Sequence, residues 1–162
     1  MSLQPSVEQE TPPSLPLDAF LPYRLMTAAN AVSRLIARAY DDRFGLTVPE
    51  WRLMCVLAEG GPATLAAVSA RLLMDRPHVG RAIQGLVRRR LVKPTERRGE
   101  GGRELELTPE GERLHGEIAP LALAYEAALI AGLAPAEVAL LKRLLSRLQA
   151  AAITLAGEPG PH

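Results

Sequence analysis

The stretch "DRPHVGRAIQGLVRRRL", Asp75 to Leu91, decides how the rest of the chain is read. Val79, Ile83, Leu86 and Val87 recur at helical steps and give it a core-facing stripe. Asp75 stands where an N-cap belongs, and Pro77 falls in the first turn, where a missing N–H does no harm. The other face holds His78, Arg81, Gln84, Gly85 and Arg88. A helix face meant only for water favours Glu, Lys and Ala, because glycine costs about 1 kcal/mol in a helix interior. This face is built for a partner.

Charge identifies the kind of partner. The whole chain carries a formal net charge of +1. Residues 71–103 nevertheless hold ten basic side chains against three acidic ones, a net of +7, and the remainder sums to −6. A positive segment inside an acidic protein is the electrostatic footprint of a polyanion-binding surface. The alternative is a solvated face whose charges pair across the fold.

Working outward, residues 1–19 are rich in proline, lack Lys and Arg, and read as a disordered tail rather than a targeting peptide. A long helix is predicted from Leu21 to Phe44, with Leu25, Ala29, Val32, Ile36 and Ala39 on one face and Gly45 to end it. Thr47, Pro49 and Glu50 open a second helix carrying Trp51, Leu53, Met54 and Leu57. Thr64 caps a short third helix, Leu65 to Leu73. After Leu91 the period changes to two: "LVKPTE" and "RELELT" are strands flanking the loop "RRGEGG", and Pro94 marks an edge strand or a bulge. Thr108, Pro109 and Glu110 start a helix toward Ile130, with a possible kink at Pro120 and Gly132 closing it. A last helix begins near Pro135, and residues 156–162 form a flexible tail. Its Val138, Leu141, Leu145, Leu148, Ala152 and Leu155 make a three-four seam suited to helix packing, within the chain or in a homodimer.

The fold class that follows is mainly α with a small β-hairpin wing. A winged helix-turn-helix lobe spans 47–108, and long terminal helices at 20–45 and 109–155 form a dimerisation domain within one domain, 20–155. An α-helix fits the major groove, and in helix-turn-helix proteins the N-terminal residues of the recognition helix read base edges. Pro77, His78, Arg81, Gln84 and Gly85 are therefore the base-reading set, with Arg bonding guanine, Gln bonding adenine, and Gly85 letting the backbone approach. Arg76, Arg88 and Arg89, with Thr64 at the start of the third helix, are assigned to phosphates. Arg97, Arg98 and Arg103 place charge on the wing, where a narrow minor groove favours arginine.

From Phe20 to Leu155 the chain resembles the MarR family of bacterial transcriptional regulators. The resemblance is carried by "LTVPEWRLMCVLAE", "MDRPHVGRAIQGLVRRRLV" and "LELTPEGERL", in that order. It implies a triangular homodimer built from the first and last two helices, bound to a pseudo-palindromic operator and commonly released by a small aromatic acid or a related phenolic. It also implies an effector site where the lobe meets the dimer helices: Met26, Asn30, Arg34, Trp51 and Met54, with His115 on the helix after the wing. Arg34 would clamp a carboxylate there, or pair with an acid such as Glu50. The opening "FLPYRLMTAANAVSRLIARAYDDRFGLTVPEWR" looks like members tied to aromatic-acid catabolism, some of which respond to acyl-CoA thioesters. The chain departs from the family pattern at the wing, where Gly101 replaces a tip arginine and Glu100 adds repulsion toward DNA. A second departure is Arg90, where a turn glycine is common.

Other classes fare worse. There is no phosphate-binding glycine loop, no Cys/His cluster and no Ser–His–acid set, so neither an enzyme nor a metal or other cofactor is expected. No apolar run approaches the roughly 20 residues that cross a bilayer. The single cysteine, Cys55, lies amid Leu53, Met54, Val56 and Leu57, which favours a packing role over an activated thiolate. It also fits a cytoplasmic protein, here associated with the nucleoid. The rival reading is a winged-helix protein–protein adaptor that has lost DNA binding.

Overall fold

Helix starts and stops in this chain are set by a few residues with defined stereochemistry. The computed structural model describes residues 15–100 and 102–157, in two units that divide between Val48 and Pro49. Gly101, residues 1–14 and residues 158–162 lie outside the described part, so the expectation for the wing tip at Gly101 does too.

In the first unit a 3-10 turn at Leu17–Ala19 gives the end of the expected tail a fixed conformation. It leads into α1, Leu21–Phe44. Gly45 ends α1 at φ +59°, and its N–H bonds the Asp41 carbonyl at 2.9 Å. That left-handed cap is the role a C′ glycine fills. Of the expected stripe, only Ala39 is buried, together with Tyr40, while Leu25 and Ala29 are exposed.

The second unit continues α2, Val48–Gly60, and adds β1, Ala63–Thr64, α3, Leu65–Leu72, and α4, Arg76–Arg88. Then come β2, Val92–Gly99, β3, Gly102–Leu107, α5, Pro109–Ile130, and α6, Pro135–Gly157. The sheet order is β1-β3-β2, antiparallel throughout. Strand β1 was not expected, because two residues carry no readable period. The hairpin is also tighter than the six-residue loop expected, since Arg98 pairs with Arg103 and Gly99 with Gly102. Pro94 behaves as its chemistry requires: β2 is an edge strand, and its register shifts between Pro94 and Arg98.

The core of this unit is made by Leu53, Met54, Val68, Val79, Leu86, Val92 and Ile118, all fully buried. On α4 the buried stripe is Val79, Ala82, Gly85 and Leu86, which corrects the expected one at Val87. Residue 87 turns about 100° past residue 86 and emerges 39% exposed. The two helices before the wing end alike. Leu73 and Arg90 take φ +50° and +58°, and the residue after each bonds back six-to-one, Met74 N–H to Ser69 and Leu91 N–H to Leu86. These are Schellman caps made without glycine, so Arg90 closes the helix in the conformation a turn glycine would adopt.

Thr108 then joins the wing to α5. Its Oγ accepts from Gly111 N–H at 3.0 Å and donates to the Arg90 carbonyl at 2.7 Å. Gly111 leaves room for this join, because a Cβ there would lie 2.1 Å from the Leu91 carbonyl oxygen and force the main chain to shift. Helix α5 runs through Pro120 without a break and ends at Ala131. Helix α6 turns away from it by 105° and contributes no buried residue. The seam residues Leu141, Leu145, Leu148, Ala152 and Leu155 are exposed, Val138 is half-buried, and Leu140 and Leu144 widen the apolar face.

Candidate nucleic-acid interface

Helix periodicity, together with the packing of α3 against α4, leaves one long face of α4 open. Pro77, Arg81, Gln84 and Arg88 follow one another at steps of three and four and are all exposed. Exposed Val87 and half-buried Gly80 flank this line on one side, and neither was assigned to the face from sequence. Their signal was available: both sit on the Gln84 side of the helical wheel, whereas Gly85 sits on the other.

Gly85 is where the structure departs furthest from expectation. It is buried, and a Cβ on it would lie 2.1 Å from Glu50 Oε1 in the first turn of α2. The missing side chain makes room for the Glu50 carboxylate and does not open the helix to a duplex. Thr64 is likewise withdrawn from the phosphate role. It is 4% exposed, and its Oγ accepts from Ala67 N–H at 3.2 Å and donates to the Glu100 carbonyl at 3.0 Å. The same hydroxyl caps α3 and ties down the wing tip.

His78 is exposed, as expected, but it is not independent. Its Nδ1 is hydrogen-bonded to the Asp75 carboxylate, and Asp75, at the N-cap position, makes no side-chain capping bond. Arg76 is exposed and lines a surface hollow of about 420 Å3 with Ala66, Ala67 and Glu100. Arg89 is exposed at the C-cap of α4.

Charge pairing divides the basic segment. Arg71 pairs with Glu59, Lys93 with Glu106 at 3.2 Å, Arg97 with Glu104 at 3.7 Å and Arg103 with Glu96 at 3.5 Å. Among the described residues Arg76, Arg81, Arg88 and Arg98 form no ion pair. The solvated-face alternative thus accounts for part of the charge on the wing and none of it on the open face of α4.

The effector residues inferred from the resemblance are distributed as follows. Met26, Asn30 and Arg34 are exposed on α1. In the second unit Met54 is fully buried, which leaves it no surface for a ligand and corrects its assignment. Trp51 is also buried, and its ring stacks on His115 at 5.1 Å between centroids and 21° between planes. His115 does line a cavity, one of about 320 Å3 that it shares with Leu57, Ala58, Gly61, Pro62, Leu107 and two carboxylates, Glu106 and Glu112. Glu106 is paired with Lys93, and the second carboxylate, Glu112, opposes an acidic ligand there. Cys55 is half-buried, and burial, with the Glu59 charge beside it, pushes its thiol up to about 11. A thiol so shifted lacks the thiolate a peroxide sensor needs. Among the described residues no cluster of His, Cys, Asp and Glu could hold a metal ion, and no single helix is long and apolar enough to cross a membrane.

Comparison with known proteins agrees with this geometry. The model of the MarR family matches residues 44–104, the lobe from the end of α1 into β3. No curated protein matches. Among solved structures the chain is similar to NadR in complex with 4-hydroxyphenylacetate, at 26% identity and TM-score 0.72, covering 84% of this chain and 99% of that one. BpsR of Bordetella bronchiseptica, whose DNA binding is regulated by 6-hydroxynicotinic acid, is 22% identical with TM-score 0.75, covering 85% and 98%. PcaV of Streptomyces coelicolor, solved with its natural ligand, is 22% identical with TM-score 0.71, covering 86% and 99%. At 22% identity these last two likenesses concern the fold.

Proposed function

We propose that this chain, whose residues 44–104 match the model of the MarR family, is a transcriptional regulator that binds a pseudo-palindromic operator as a homodimer and represses until a small effector releases it. The observation that carries this reading is the open face of α4, where Arg81, Gln84 and Arg88 stand exposed in line and, among the described residues, no acid is paired to either arginine. Guanidinium and carboxamide groups at that spacing match the donor and acceptor pattern of guanine and adenine in the major groove. Arg76 and Arg98 supply grip on phosphates, so affinity falls steeply with salt.

The dimer is supported by α6, whose apolar seam is exposed and which has no buried residue among those described. Residues 20–45 and 109–155 are the parts proposed to meet in it, with 47–108 as the DNA-binding lobe. The proposed effector is an aromatic acid or its CoA thioester. Support comes from the aromatic acids named with NadR and BpsR. The protein works on the nucleoid, in the cytoplasm, with neither cofactor nor catalytic chemistry.

Electrophoretic mobility shift on DNA flanking the protein's own gene tests the reading. A fragment retained by the wild type and lost with Arg81→Ala is the expected result. A folded dimer that retains no fragment at low salt overturns it and installs the adaptor reading. Thermal shift with aromatic acids and their CoA thioesters, followed by release from the retained fragment, tests the effector.

A further inference from the structure

Asp75 presents a small stereochemical puzzle. It occupies the N-cap of α4, the position where an aspartate ordinarily accepts a hydrogen bond from the first turn of its helix. Its carboxylate makes no such bond and is instead hydrogen-bonded to His78 Nδ1, three residues along. Both side chains are more than half exposed, so neither is forced into the contact by burial.

We propose that Asp75 is a positioning residue that fixes the tautomer of His78 and thereby the base His78 reads. An ionised carboxylate only accepts hydrogen bonds, so the Nδ1 facing it must carry the proton. In its neutral form the ring then presents Nε2 as a bare acceptor. An acceptor in the major groove bonds an amino group, cytosine N4 or adenine N6, and is repelled by guanine O6 and N7. Arg81, one turn farther along the same exposed surface, is a pure donor and selects guanine. Acceptor and donor in adjacent turns give the first half of the recognition helix a two-letter preference rather than a uniform attraction to phosphate. This inference rests on the DNA-binding reading above.

The variant that isolates the effect is Asp75→Asn. Asparagine caps a helix as well as aspartate, so α4 keeps its start. Its amide both donates and accepts, so it holds either tautomer of the ring. In the full-length protein at pH 8, 15N spectra assigned by His78→Ala should show Nδ1 protonated and Nε2 bare in the wild type. Asp75→Asn should give a mixture of tautomers. Selection from randomised duplex DNA should then show one amino-bearing base per half-site whose enrichment falls about fivefold in Asp75→Asn, the size of one neutral hydrogen bond. His78→Ala should lose the same preference, and the double variant no more than either single one. A wild-type ring protonated at Nε2 overturns the tautomer lock directly. Unchanged selection profiles in Asp75→Asn, with the ring behaving as stated, overturn the link to base reading. A wild type that enriches no sequence overturns the DNA-binding reading, and the base contact with it, while the ring spectrum still decides the lock.

Discussion

Two glycines in this chain face the same geometric obstacle, and replacing each by alanine should have unequal costs. A Cβ on Gly85 would lie 2.1 Å from Glu50 Oε1, and a Cβ on Gly111 would lie 2.1 Å from the Leu91 carbonyl oxygen. In both cases the oxygen must retreat by roughly 1 Å to reach an ordinary C···O separation of about 3.3 Å. Both sites are helical, so each substitution also gains about 1 kcal/mol of helix propensity. What differs is the freedom of the oxygen. The Glu50 carboxylate ends a flexible side chain and can rotate away, giving up interactions of about 1 kcal/mol. The Leu91 carbonyl is main chain, held by Thr108 N–H at 3.0 Å, with Leu107 Cδ2 closing the far side at 3.3 Å. Moving it disturbs the join between wing and α5, at the upper end of the 1–3 kcal/mol typical of overpacking or above it. Gly85→Ala should therefore change stability by less than about 1 kcal/mol, and Gly111→Ala should lose about 2 kcal/mol net. In an Glu50→Ala background the obstacle at residue 85 is gone, and Gly85→Ala should gain about 1 kcal/mol. Urea unfolding at fixed protein concentration measures all four variants, and each kcal/mol corresponds to about 2–4 °C in Tm. Equal losses at the two sites, or the same effect of Gly85→Ala with and without Glu50, would refute the reasoning.

Other expected outcomes follow from single contacts. Arg90→Gly should stabilise by about 1 kcal/mol in thermal unfolding, because glycine adopts the observed φ of +58° without steric cost; a destabilised variant would show that the arginine side chain matters more than its backbone. Arg98→Ala should flatten the slope of log affinity against log salt by about 1 per contacted phosphate, and Arg97→Ala by less, since Arg97 is shared with Glu104; equal slopes would remove the distinction between paired and free wing arginines. Native Cys55 should react slowly with iodoacetamide at pH 8 and faster as pH rises toward its value of about 11, since only the thiolate attacks. Reaction at the rate of an unfolded thiol would contradict its burial. Leu141→Glu with Leu148→Glu should give monomers by light scattering, and an intact dimer would place the interface elsewhere.

Much of the fold is legible in the sequence because helices are local objects. The bounds of α1, the Gly45 cap and the starts of α3, α5 and α6 at Thr64, Thr108 and Pro135 each depend on residues within one turn of each other. The exposed line Pro77, Arg81, Gln84 and Arg88 follows from the 3.6-residue period alone, as does the concentration of charge around it. Tertiary structure decided everything that joins distant segments. Gly85 looked like part of the open face until α2 placed Glu50 over it, and Val87 looked buried until the helix settled on Ala82 instead. Thr64, 36 residues from Glu100, became a clamp on the wing rather than a hand for phosphate. Three of the four basic residues of the wing, Lys93, Arg97 and Arg103, proved to be paired with acids that the alternation of strand residues hides. Periodicity and caps are fixed by the chain within a few residues, whereas the angle at which one helix crosses another is a sum over many weak contacts. That sum selected which glycine needs space, which hydroxyl is already spent and which arginines remain free.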